Sequence, residues 1–199
     1  MSVKLEAYIG RKQYLLDMKG RLDDEILPVL NFCKEKLAPR SIGYWIPIRL
    51  LMPVVEAAGK VIYHDKTGGD AAIAVLRDLR VPYPEISWRL FRHNLLHNDE
   101  LPPVISEEGL LIAGWEIRLD GGHRTEATRV CIDASKLYED LFQYLQQKAG
   151  QVPDEKYPFK PTITHDALRS SPLLKQEVEE LSRPRTSADH AAPEPTSSH

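Results

Sequence analysis

Apolar residues recur every three or four positions through the first half of this chain, then every two positions in one later stretch. That change of period marks where helices give way to strands. Asp23 or Asp24 can cap a first helix running to about Ala38, with Ile26, Leu27, Leu30, Cys33 and Leu37 as its stripe and Pro39 as its stop. Ser41 opens a second helix through roughly Ala58. Its buried face is Ile48, Leu51, Val55 and Ala58, with Leu50 and Val54 alongside. Pro53 predicts a kink or a break within it, and Gly59 a C-terminal stop. Tyr63 to Gly69 reads as a loop. Asp70 caps a short helix through about Leu79, and Pro84 suits the first turn of the next, Glu85 to His97.

Beyond Pro102-Pro103 the period falls to two. Leu111, Ala113, Trp115, Ile117 and Leu119 share one strand face. Asp120-Gly121-Gly122-His123 is a turn signal, and Arg124 to Ile132 returns as a second strand, so a β-hairpin is expected at about 110–132. An isolated hairpin is marginal in water and must pack on the helices or on a second copy of itself. Asp133 caps a last core helix, whose stripe is Leu137, Tyr138, Leu141, Phe142 and Leu145 and whose end is Gly150. From Gln151 onward Pro, Ser, Glu and Ala dominate. A short helix is expected over 171–181, with Leu174, Val178 and Leu181 at helical spacing, and disorder from Arg183 to His199. The expected fold class is α+β, mainly α: a bundle of four or five helices with one hairpin over residues 1–150, and a flexible tail over 151–199.

With 199 residues, 42% of them hydrophobic, the chain can bury the core of one ordinary domain. A net charge of -3 excludes a broadly basic nucleic-acid scaffold but leaves room for a local basic site. Cys33 and Cys131 lie in apolar stretches without a partner at metal-ligand spacing, which fits two reduced core thiols and a cytoplasmic setting. The first residues lack the apolar segment of a secretion signal, and no run approaches the roughly 18 apolar residues of a membrane helix. A soluble cytoplasmic protein without membrane contact is expected.

The segment with the most chemistry is Arg92-His93-Asn94-Leu95-Leu96-His97, at the end of a predicted helix. In a structural reading Trp88, Leu90, Phe91, Leu95 and Leu96 pack inward, while the Arg and His residues face solvent or cap the helix end. In a metal reading His93 and His97 clasp one ion at i, i+4. A third ligand would then have to arrive through the fold, from His64, Asp65, Asp99, Glu100, His123 or His165. Asn94 occupies the place of the glutamate in the zinc-protease signature, and no metal or cofactor is expected. In a phosphodiester reading Arg92 holds phosphate charge through its fork of donors and His97 moves a proton near neutral pH. Arg89 and Asn94 would be further phosphate contacts, and Arg77 and Arg80 are the other basic residues nearby.

Arg92, His93 and His97 match in order and spacing the motif of HEPN domains, and the chain over about 20–150 resembles that family's small helical bundles. The resemblance implies an RNA-acting protein, a metal-independent endoribonuclease of toxin or defence type. By the same resemblance His97 is general acid/base, Arg92 stabilises the charged transition state, and His93 orients the phosphate or supports Arg92. It also implies a homodimer with the site at the interface, and an antitoxin-like nucleotidyltransferase partner. The alternative is a non-catalytic helical interaction or dimerisation module. On an ideal helix Arg92 and His97 lie about 140° apart, whereas Arg89, His93 and His97 share a face. The HEPN reading therefore needs the helix to end or distort near Asn94, or to converge across a dimer. Tyr63 to Asp70 lacks the spacing of a nucleotide-binding P-loop. Trp88 and Trp115 could stack bases, or fill the core as large aromatics usually do.

Overall fold

The computed structural model describes residues 8–37, 45–94, 104–105, 107–109, 111–126 and 129–158, and the single positions Pro172, Lys175, Gln176 and Glu179. The elements in order are β1 (Tyr8–Gly10), α1 (Arg11–Arg21), α2 (Leu27–Lys36), α3 (Trp45–Ile62), α4 (Gly68–Asp78), α5 (Pro84–Trp88), β2 (Val104–Ile105), β3 (Leu111–Arg118), β4 (Arg124–Glu126), β5 (Arg129–Asp133), α6 (Ala134–Ala149) and β6 (Lys156–Pro158). The architecture is α+β and mainly helical, with a small sheet. The chain divides into Tyr8–Tyr157 and a second unit made of Met1–Ala7 and Pro158–His199. In the second unit the described positions Pro172, Lys175, Gln176 and Glu179 are helical, and Lys175 Nζ lies 3.9 Å from Glu179 Oε1. The remainder of the expected 171–181 helix and the expected disorder of 183–199 lie outside the described residues.

The first helix begins at Arg11 rather than at Asp23 or Asp24. Helical backbone runs from there to Lys36, passing through a π-helical turn at Leu22–Ile26. Leu15, Met18, Leu22, Ile26, Leu30 and Cys33 form one buried stripe along it, and the acidic residues Asp23, Asp24 and Glu25 occupy the exposed side of the wide turn. Gly10, at the N-cap, offers no side chain to mark the start. The start is fixed from afar: β1 pairs with β6, and the Arg11 N–H donates to Glu155 O at 3.0 Å. The Arg11 side chain is buried. Its Nε and Nη2 donate to Val61 O at 3.1 and 2.5 Å, neutralising the carbonyl end of α3.

Helix α3 carries Ile48, Leu51, Met52, Val55 and Ala58 fully buried. It runs without a break through Pro53 and past Gly59, contrary to the expected interruption and stop. Pro53 forfeits one backbone hydrogen bond, but it faces solvent while its neighbours on the inner face are packed. Gly59 marks a crossing instead of an end. A Cβ there would lie 2.6 Å from the Ala71 carbonyl carbon, so α3 and α4 approach closely only because the position is glycine. Thr67, not Asp70, stands at the N-cap of α4; Asp70 sits in the first turn, where its Oδ2 accepts from Thr67 Oγ1 at 2.5 Å.

The sheet departs from the expected hairpin. Its order is β2-β3-β5-β4. β3 and β5 pair in parallel, Gly114 opposite Arg129 through Arg118 opposite Asp133, and β4 adds antiparallel to the far side of β5. Asp120 to His123 therefore does not join two hydrogen-bonded strands; the chain turns there, leaves a gap one strand wide, and β5 fills it. Gly121 and Gly122 both have positive φ, a backbone that glycine adopts without strain as the chain reverses. The end of β5 pins it: Gly122 N–H donates to Asp133 Oδ2 at 2.6 Å, and Asp133 N–H donates to His123 Nδ1 at 3.0 Å. Asp133 also caps α6 as expected, its Oδ1 accepting from the N–H groups of Ser135 and Lys136 at 2.8 and 3.0 Å. The predicted stripe of Leu137, Leu141 and Leu145 is fully buried. Among the described residues no helix is long and apolar enough to cross a membrane.

Candidate functional site

Arg92 is placed by its neighbour. Phe91 is fully buried and meets Trp115 of β3 edge to face, with ring centroids 5.9 Å apart. Trp88 is buried as well, so both tryptophans serve packing. With Trp88, Leu90 and Phe91 turned inward, Arg92 is left half-buried and reaches α3. Its Nε donates to Glu56 Oε2 at 2.9 Å, and Glu56 Oε1 accepts from Lys60 Nζ at 2.6 Å. One carboxylate is thus divided between two cations. Burial alone would push the Glu56 carboxyl up, but the hydrogen bonds and charges of Lys60 and Arg92 outweigh it and hold the group below the ordinary glutamate range. Among the described residues the terminal nitrogens of Arg92 make no further hydrogen bond.

The first turn of α4 closes this corner. A Cβ on Gly68 would lie 3.0 Å from Lys60 Cε and 3.7 Å from Glu56 Oε1, and one on Gly69 would lie 3.4 Å from Trp88 Nε1. Thr67 makes no side-chain capping bond to the helix. Two cations, the Glu56 carboxylate and the N-terminal end of α4, whose first turn also carries Asp70, therefore share one place, where the Arg92 fork and the helix N–H groups could meet an anion.

The helix that carries the predicted motif is not ideal. After α5 the backbone of Arg89–Asn94 is π-helical, with i→i+5 bonding in place of i→i+4. The HEPN reading needs the helix to end or distort near Asn94, and the backbone is distorted as far as Asn94, with residues 95–97 outside the described residues. The side chains of His93 and Asn94, and all of His97, lie outside the described residues, so their approach to Arg92 is not described. Arg89 does not join the corner: its side chain is 74% exposed and its Nη2 lies 3.4 Å from Glu85 Oε1. Glu56 and Lys60 were not among the expected site residues. A Glu-Lys pair at i, i+4 is legible in the sequence, but it usually means no more than a solvated helix face, and nothing local links it to Arg92.

Other expected contributors serve the fold. His64 Nδ1 lies 3.2 Å from Arg11 Nη2, and His123 Nδ1 is taken up by the Asp133 N–H. Among the described residues no group of three His, Cys, Asp or Glu side chains gathers as metal ligands would. Both cysteines are buried, and burial pushes the Cys33 thiol up. Compared with protein-family models, with curated proteins and with solved structures, the chain matches none.

Proposed function

We propose that this chain is a HEPN-like RNA-acting protein in which Arg92 holds the phosphate. The observation that carries the reading is the Arg92 corner. A half-buried guanidinium is oriented through Nε by Glu56, its terminal nitrogens make no further hydrogen bond among the described residues, and Lys60 and the first turn of α4, without a side-chain cap, stand beside it. The π-helical backbone at Arg89–Asn94 meets one condition of the same reading, that the helix depart from ideal geometry near Asn94. In this proposal His97 is the general acid/base, His93 supports Arg92, the site is completed by a second copy, and the protein works in a reducing cytoplasm. The test is cleavage of a fluorescently labelled RNA pool in EDTA. Arg92→Ala is expected to slow cutting by about 10²–10³-fold, the usual loss for a removed transition-state charge contact, and His97→Ala to abolish it. Cutting that survives both substitutions, or RNA binding indifferent to Arg92→Ala in a protein that does not cut, would overturn the proposal.

A second reading, a non-catalytic interaction module, is favoured by a different observation. Phe32, Ile46 and Leu50 are 57%, 44% and 37% exposed, more than large apolar side chains on two core helices require. Partner capture lost on Phe32→Ser with RNA binding absent from the parent protein would move the weight to it.

A further inference from the structure

At the other end of α4 lies a groove of about 520 Å³, walled by the end of that helix, by the Gly122-His123 turn and by one face of α6. Its size is that of a small-molecule site. The bonding already made within it says which kind of molecule it suits. Each carboxylate on its walls already has a partner through one oxygen. Asp78 Oδ2 accepts from the hydroxyls of Tyr144, at 2.7 Å, and of Tyr63. Asp140 is paired with Lys136 one turn away on α6.

What is left over includes one cation and two side-chain amides able to donate. Arg80 is exposed on the groove wall, and its side chain makes no hydrogen bond or ion pair among the described residues. Gln143 and Gln147, one turn apart on α6, have side-chain amides in the same condition. The His123 ring completes the wall. Because Nδ1 accepts the Asp133 N–H, the ring proton sits on Nε2, which is buried and has no partner among the described residues. Burial keeps the ring neutral, pulling its pKa below the ordinary histidine value against the Asp133 and Asp140 carboxylates, with Lys136 adding to the downward pull.

Arg80 also stands where an arginine is conformationally costly. Its N–H donates to Arg77 O at 3.0 Å and that of Val81 to Leu76 O at 3.0 Å, the bonding of a Schellman helix end. The residue between cap and exit must then be left-handed, and Arg80 has φ +55° where glycine or asparagine is usual. A strained residue whose guanidinium is unpaired and borders a cavity is a candidate for binding rather than for folding.

We propose that this groove binds a small organic anion through Arg80, its carboxylate or phosphate group taken by the guanidinium and its remaining acceptors by the Gln143 and Gln147 amides. The site is separate from the Arg92 corner and does not depend on the function proposed for it. The test is isothermal titration of the full chain with three probes at millimolar concentration: inorganic phosphate, citrate and uridine 5′-monophosphate. Saturable binding of at least one is expected; phosphate or nucleotide without citrate identifies a phosphate ligand, and citrate alone a carboxylate. Arg80→Gly is expected to weaken that binding at least tenfold while raising the melting temperature, since glycine relieves the left-handed backbone. Arg80→Lys should keep part of the affinity. No saturable heat with any probe, or affinity unchanged in Arg80→Gly, would overturn the proposal. Because Arg80→Gly keeps or improves the fold, lost binding cannot be put down to unfolding.

Discussion

The two ends of α4 handle an arginine in opposite ways. At its start, Arg92 is half-buried, 26% exposed, and held by Glu56, which also holds Lys60. At its end, Arg80 is exposed, unpartnered among the described residues, and carried on strained backbone. A guanidinium tied through one nitrogen is aimed; its entropy is spent at folding, and it can meet a phosphate at little further ordering cost. A guanidinium without a partner keeps its full set of donors but must be ordered by whatever it binds. The first arrangement suits a charge contact whose position matters. The second suits capture of a small ligand.

The largest way to disturb this comparison is to move α4 itself. Gly59→Ala would press a methyl group onto the Ala71 backbone and is expected to cost about 1–3 kcal/mol in urea denaturation. It should weaken both corners together. If stability is unchanged, the close crossing of α3 and α4 is not what sets their spacing.

A smaller effect, confined to one end, is expected from Glu56→Gln. The substitution removes the charge that Arg92 and Lys60 share, two partly buried contacts worth together about 1–2 kcal/mol at neutral pH. The Glu56 carboxyl titrates below its unfolded value, so its contribution is complete above the ordinary glutamate pKa of about 4.3 and fades as pH falls through the folded value. The stability difference between the parent chain and Glu56→Gln should shrink in that acidic window and stay flat above it. Anion affinity at the Arg80 groove should not change, and a parallel loss there would show that the two ends are coupled.

The smallest effect concerns the groove wall. His123 is held neutral by burial, so the unfolded chain takes up a proton first as pH drops below about 6.5, and stability falls from there toward the lower folded pKa. His123→Gln should flatten that part of the pH–stability profile and leave the Glu56 window intact. A profile with the same slope in both proteins would show that the ring is not the group responsible.

Several elements could be read directly because their signals are local. Asp133 before an apolar stripe spells the start of α6, and its carboxylate caps that helix. The inward set of Trp88 and Phe91 follows from helical spacing, and that set turns Arg92 outward. Other signals were ambiguous in principle. Asp120-Gly121-Gly122 specifies a tight reversal but not which strand will lie alongside, and here β5 enters between the two strands that the turn connects. Asp23 and Asp24 resemble caps, yet they ride on a wide turn inside a helix whose true start has no capping side chain at all.

The pattern of apolar residues thus determined by itself that this chain is a mainly helical protein with a small sheet, since burial of a periodic stripe depends only on residues a few positions apart. It also singled out Arg92, through a short motif. Which groups Arg92 meets was decided by the tertiary structure, because Glu56 is 36 residues away and reaches it only through the packing of Phe91 on Trp115 and the crossing at Gly59. Arg80 shows the same limit more sharply. Its sequence neighbours mark nothing, and its availability rests on a helix end, a strand turn and a helix face brought together by the fold.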